Sequence, residues 1–208
     1  MNEWDLQNSL SKYWRDNALL FESEYFKLIC WELMFPSWSI NDNKRKWNEI
    51  SIDFIFYAQE SKTFICGELK NVIKSRKELL SAYCQTIQRS MEFTRQYSSE
   101  KMNSAMKECF SNSSNERGGV TKKETINFSA KPNVKMILFA YKFPKNTDET
   151  IRRWNRMTFE EIIGLVETYS ENKEFKRFKK VDKLDFIRFR NVYLEEIKLF
   201  STNTQLLK

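Results

Sequence analysis

Asp53, Glu68 and Lys70 are the residues of this chain whose types and spacing best suit chemistry. Asp53 lies in the run Glu49-Ile-Ser-Ile-Asp-Phe-Ile-Phe-Tyr-Ala58. Glu68 and Lys70 close the run Thr63-Phe-Ile-Cys-Gly-Glu-Leu-Lys70. Both runs are rich in β-branched and aromatic residues, the mark of strands, and the polar stretch 59–62 between them predicts a hairpin. Strand side chains alternate between faces, so Glu68 and Lys70 share one face. Asp53 shares a face with Glu49, Ser51 and Ile55, opposite the apolar set Ile50, Ile52, Phe54 and Phe56. The hairpin can then bring two carboxylates and an ammonium together beside a buried sheet. Charge in such a place is costly unless it is paired or holds a cation. A hard divalent ion resolves the repulsion, because Mg²⁺ favours one or two carboxylates with water and phosphate oxygens completing its octahedron. An ion held by Asp53, Glu68 and the backbone carbonyl of Leu69 would polarise a phosphodiester and activate water. Lys70 would orient that water and offset charge developing on phosphorus. The plainer alternative is a solvent-facing salt bridge between Glu68 and Lys70.

Composition narrows the chemistry further. The 208 residues contain no His. That removes Ser-His-Asp and Cys-His catalysis and His-ligated zinc hydrolysis. Gly67, Gly118, Gly119 and Gly164 are the only glycines, so neither nucleotide-binding glycine fingerprint can be written. Cys30, Cys66, Cys84 and Cys109 have no paired spacing, which predicts free, mostly buried thiols in a reducing compartment. Lys and Arg outnumber Asp and Glu by 35 to 28, a net charge of +7. That balance favours a polyanionic partner such as nucleic acid, against the alternative of simple solubility. No apolar stretch is long enough to span a membrane and no secretory signal is visible, so a cytoplasmic protein is expected.

The elements that must position these residues follow from pattern. The spacing of Phe21, Tyr25, Leu28, Ile29 and Glu32 predicts a helix over 16–34, capped by Asp16 or Asn17 and stopped by Pro36. A turn or short strand from Trp38 leads to the hairpin. A helix is expected over 77–97, a flexible loop over 98–133, and a third strand over 134–143. Helices over 148–155 and 158–169 follow, the second opened by a capping box of Thr158 and Glu161. The order argues an α/β fold with a mixed central sheet flanked by helices. The expected organisation is a core over 1–146 and a helical, basic C-terminal extension over 147–208, packed on the core as one domain.

Ile52-Asp53 on one strand and Glu68-Leu69-Lys70 on the next resemble the PD-(D/E)XK nuclease superfamily, the restriction-endonuclease-like fold. The resemblance spans roughly residues 17–143, although Ile52 stands where the family often has Pro. It implies an αβββαβ-type core, Asp53 and Glu68 as metal ligands, Lys70 as the catalytic lysine and Mg²⁺ as cofactor, with Mn²⁺ as a substitute. A further Glu on the first helix is common in the family. Glu22 is the favoured candidate and Glu24 the alternative, each weighed against a plain surface carboxylate. A Gln on the helix after Glu-x-Lys also occurs, and Gln85 and Gln88 lie off the apolar stripe of the expected helix; Gln85 is the candidate, although Arg89 stands where the fuller motif has Tyr, and it is weighed against a plain surface glutamine.

Substrate contacts are expected from basic residues: Lys74, Arg76 and Lys77 just after the Glu-x-Lys strand, Arg152, Arg153 and Arg156, and Lys176, Arg177, Lys179 and Lys180. The interleaved Phe175, Phe178, Phe186 and Phe189 are expected in the core. The expected function is a metal-dependent endonuclease acting on DNA rather than RNA, in a restriction, mobile-element or defence setting. The alternative is a non-catalytic nucleic-acid-binding or assembly module retaining the fold. A homodimer or other subunits of a larger system are the further partners the resemblance implies.

Overall fold

The computed structural model describes residues 2–38, 45–97, 119–120, 133–193 and 196–203. Helix α1 (Glu3–Asp16) opens with a capping box, in which the Asn2 side chain accepts from the Asp5 amide and the Asp5 carboxylate accepts from the Asn2 amide. Leu6, Leu10 and Trp14, four residues apart, form its buried stripe. Strands β1 (Leu19–Phe21), β2 (Glu24–Trp38), β3 (Arg45–Ala58) and β4 (Thr63–Val72) pair antiparallel in succession. Helix α2 (Arg76–Tyr97) leads on, and the two-residue β5 (Gly119–Val120) pairs with β2. Strand β6 (Asn133–Lys142) lies parallel to β4. Helices α3 (Thr147–Asn155), α4 (Phe159–Glu167), α5 (Lys173–Phe178) and α6 (Lys183–Tyr193) precede β7 (Lys198–Ser201), which lies parallel to β6. The sheet order is β1-β2-β3-β4-β6-β7, a mixed sheet flanked by helices.

Helices cover both faces. On one, Leu6, Leu10 and Trp14 of α1 pack with Phe26, Phe54, Phe56, Leu69 and Phe139. The Trp14 ring sits edge-on to Phe54 and Phe56, each centroid 5.1 Å away. On the other, α2 and the C-terminal helices share a core with Met136, Leu138 and Ala140 of β6. Phe175, Phe178, Phe186 and Phe189 are buried there, so they fill the interior. The segment after residue 147 is not purely helical, because β7 joins the sheet. The Asn155 side chain fastens the segment by bonding both the carbonyl (3.1 Å) and the amide (3.3 Å) of Ile197. Thr158 and Glu161 form the capping box of α4.

The helix expected over 16–34 is not formed. Asn17 instead ends α1, its amide and side chain both donating to the Tyr13 carbonyl. The following residues make β1 and β2. Phe26 and Leu28 are buried while Tyr25 and Lys27 are exposed, an alternation of period two that the helical spacing of Phe21, Tyr25 and Leu28 had masked. The turn between β1 and β2 is Glu22-Ser23, both at positive φ (48° and 68°), the backbone of a tight two-residue hairpin. Pro36 does not end a helix but sits in β2 at a register shift, where the ladder tolerates its missing N–H. The stretch 98–133 lies outside the described residues except for 119–120 and 133, which are strand. Cys30, Cys66 and Cys84 are buried free thiols, and burial pushes the thiols of Cys66 and Cys84 well up. Cys109 lies outside the described residues.

Gly67 fixes how β4 meets its neighbours just before Glu68. It pairs with Phe54 on one side and Ile137 on the other. A Cβ placed there would lie 3.0 Å from Phe139 Cδ2 and closer still to Cε2. The Phe139 ring cannot retreat, because it packs against Trp14, Phe54 and Phe200. Gly67→Ala is expected to destabilise the fold by about 1–3 kcal/mol through overpacking, read as a lower urea midpoint with an unchanged denaturant slope.

Candidate functional site

The β3–β4 ladder pairs Ala58 with Thr63 and ends at Phe54 with Gly67. Beyond that point the backbones of Asp53 and Glu68 are no longer partners. The Asp53 carboxylate fills the gap, its Oδ2 accepting from the Leu69 amide at 2.7 Å. The N–H and C=O of one residue leave an extended strand on the same edge, so the Leu69 carbonyl is turned towards Asp53 as well. Gln7 of α1 holds the same spot from the other layer, its Nε2 donating to the Asp53 carbonyl at 3.3 Å.

Glu68 pairs with Leu138 in the parallel ladder, and Leu138 packs in the core shared with α2. Glu68 and Lys70 therefore face α2. Asp53 lies two residues from Ile55, which with Tyr57, Phe64 and Cys66 faces the same way. Phe54 and Phe56 occupy the opposite face as alternation requires, but Ile52 packs with Ile55 and Tyr57 rather than with them.

Asp53, Glu68 and Lys70 come together here. Lys70 Nζ lies 2.8 Å from Glu68 Oε1. Arg89 Nη1 of α2 contacts Glu68 Oε2 and lies 3.7 Å from Asp53 Oδ2. Glu68 is 1% exposed, against 23% for Lys70, 16% for Arg89 and 15% for Asp53. This is not the solvent-facing bridge of the plainer alternative. A carboxylate buried this far requires compensation, and two cations provide it.

Glu22 and Glu24 do not belong to this cluster. Both sit at the β1–β2 turn, where Glu22 Oε2 meets Lys135 Nζ at 2.6 Å and Oε1 lies 3.9 Å from Lys198 Nζ. Lys135 pairs with Ile65 at the start of β6, whereas Lys70 pairs with Ala140 near its end, so the two carboxylates lie towards the opposite end of the strands. The first helix carries a different acid to the site. Glu3, at the start of α1, reaches Lys70 Nζ at 3.5 Å. Glu3, Gln7 and Arg89 were missed by the sequence reading. The signal for the first two was the cap Asn2-x-x-Asp5 followed by Leu6, Leu10 and Trp14 at helical spacing. In the sequence Arg89 stands out only as a departure from the motif's Tyr. Gln85 lies one turn before Arg89 on α2 and is buried, and its Oε1 has no hydrogen-bond partner among the described residues.

Ser170, Asn172 and the Trp154 ring lie against the first turns of α2. Lys77 Nζ bonds Ser170 Oγ at 2.5 Å, the Asn172 side chain bonds Ser81 (3.3 Å), and the Arg76 guanidinium stands 5.9 Å over the Trp154 ring. Lys74, Arg76, Arg152, Arg153, Arg156 and Lys180 are exposed. Part of the remainder is spoken for locally. Glu171 pairs with Lys179 (2.8 Å) and Lys176 (3.7 Å), and Glu174 with Arg177 (3.4 Å). The hydrogen bond from Lys179 holds the Glu171 carboxyl below the usual carboxylate range.

Comparison with protein-family models, curated proteins and solved structures gave no match, so the chemistry of the cluster rests on its own geometry. Among the described residues no group of three or more His, Cys, Asp or Glu side chains is placed to hold a metal. A metal at this cluster would have two carboxylate ligands, the set that suits Mg²⁺ with water and phosphate oxygens. Arg89 shows that one cationic centre can be reached from both carboxylates. Asp53→Ala leaves the Leu69 amide without its acceptor and is expected to cost about 1–3 kcal/mol. Asp53→Asn keeps an acceptor at that position and is expected to cost less. Urea unfolding of the two variants side by side checks the order.

Proposed function

We propose that this chain is a metal-dependent nuclease that hydrolyses DNA phosphodiester bonds, an endonuclease of a restriction, mobile-element or defence system. The observation that carries the reading is the meeting of Asp53, Glu68 and Lys70 where β3 and β4 part. The fork leaves a carboxylate from each strand, with the Leu69 carbonyl turned to the same edge. Bound there, Mg²⁺ would supply Lewis-acid polarisation of the phosphodiester.

The chain's own groups have separate tasks under this reading. Asp53 and Glu68 hold the metal. Lys70 is a compact charge on a flexible stem, 23% exposed, and it orients the attacking water and offsets negative charge on phosphorus. Glu3 lies on the exposed side of Lys70 and steadies its ammonium. Basic residues, above all Lys74, Arg76 and Lys77 just beyond β4, hold the phosphate backbone without reading sequence.

A second reading draws on the charge pairing itself. Lys70 and Arg89 already offset the two carboxylates, as in a non-catalytic nucleic-acid-binding module whose cluster only ties α2 to the sheet. Incubation with plasmid and single-stranded DNA, in Mg²⁺ or Mn²⁺ and in EDTA, separates the two. Metal-dependent cleavage that falls about a hundredfold or more in Lys70→Ala is expected. Binding without cleavage sinks the nuclease reading, and metal-dependent cleavage undiminished in the variant sinks the role given to Lys70.

A further inference from the structure

The cation lodged between the two carboxylates belongs to the chain. Arg89 Nη1 touches Glu68 Oε2 and lies 3.7 Å from Asp53 Oδ2, the ground that a divalent ion bridging these acids would need. The formal charges balance. Asp53 and Glu68 bring two negative charges, and Lys70 and Arg89 bring two positive ones. A divalent ion added to this set would leave an excess of two positive charges in a mostly buried place, which is unfavourable unless a cation leaves or an anion arrives.

We propose that Arg89 is the internal counter-cation of the acid pair, and that a divalent metal binds there by displacing its guanidinium. The inference rests on the metal-binding reading given above and adds a role for a residue outside the Asp-Glu-Lys set. Arg89 holds the buried Glu68 carboxylate while no metal is bound, and its displacement raises the metal's apparent dissociation constant. Two features favour displacement over permanent pairing. Arg89 stands on a helix, so its side chain can swing while the strands that carry the carboxylates stay fixed. Long side chains on a helix also lean towards its N-terminus, over the turn that carries Gln85. Gln85 is more than nine-tenths buried as a residue, and its Oε1 has no partner among the described residues. It gives the displaced guanidinium an acceptor one turn away, and the arriving phosphodiester offsets the positive charge that this leaves near the ion. Once displaced, the guanidinium is also a charge available to the phosphodiester that enters with the metal, so metal and substrate should bind with positive coupling.

The test is Mn²⁺ binding by the full 208-residue chain, followed by electron paramagnetic resonance and calorimetry, in wild type, Arg89→Gln and Arg89→Lys. Arg89→Gln is expected to melt at a lower temperature without metal, and to bind Mn²⁺ about tenfold tighter than wild type, a typical size for coupling between competing occupants. Arg89→Lys keeps the charge with a single, shorter donor group and is expected to tighten binding by a smaller factor. It serves as the measurement should Arg89→Gln not fold. Affinity equal to wild type or weaker in the folded variant, with wild type binding Mn²⁺, overturns the displacement and leaves the nuclease reading standing. Absence of Mn²⁺ binding at millimolar concentration in wild type and in both variants overturns the two together.

Discussion

A carboxylate that is 1% exposed, inside β4 just past the point where that strand parts from β3, is the constraint around which the rest of this molecule is arranged. Glu68 follows Gly67, whose lack of a side chain lets the Phe139 ring press against β4, and it precedes Leu69, whose side chain is locked beneath α1. The strand therefore cannot rotate Glu68 outward without breaking both packings. Desolvating that charge alone would cost several kcal/mol. The compensation comes from two directions, Lys70 from the same strand and Arg89 from α2. Helix α2 is thus held to the sheet by electrostatics at Glu68 and by apolar packing further along, where Phe93 meets the Phe64 ring.

The fork between β3 and β4 is the second consequence. A ladder that ran on past Phe54 and Gly67 would spend the Leu69 amide on a backbone carbonyl. Here the amide goes to Asp53 instead. One hydrogen bond satisfies a buried donor and also sets the direction of a carboxylate. Gln7 fixes the Asp53 carbonyl from the other layer, so the acid is held at both its backbone and its side chain. A site built this way is positioned by elements whose own packing is set by aromatic rings, chiefly Trp14, Phe54, Phe56 and Phe139.

The hairpin of β3 and β4, helix α2, strand β6 and the first C-terminal helices were legible in the sequence, because their apolar periodicity was unambiguous and Gly or Pro marked few of their interiors. The meeting of Asp53, Glu68 and Lys70 was legible for the same reason, since alternation on two adjacent strands leaves few arrangements. The first forty residues were not. Phe21, Tyr25, Leu28 and Ile29 satisfy a helical stripe as well as a strand, and the deciding turn, Glu22-Ser23, lacks the Asn-Gly or Asp-Gly that advertises a two-residue hairpin. Misreading that segment moved the first helix and with it the acid on that helix, from Glu3 to Glu22. Arg89 was out of reach for another reason. A single Arg on a helix carries no pattern, and only the contact in space reveals its role.

Strand β4 lies between a near neighbour and a distant one in the chain: β3 ends five residues before it, whereas β6 starts some sixty residues after it, beyond α2. During synthesis the meander of β1 to β4 can close from local contacts, but the other edge of β4 stays open until β6 has emerged. That edge belongs to a strand buried almost throughout, Thr63 to Leu69, with Lys70 as its first partly exposed residue. Exposed edges of apolar strands recruit other chains. Until β6 docks, the nascent protein therefore depends on α2 to shield one face of β4, and its hazard at the ribosome is intermolecular pairing along the strand that carries its most deeply buried charge.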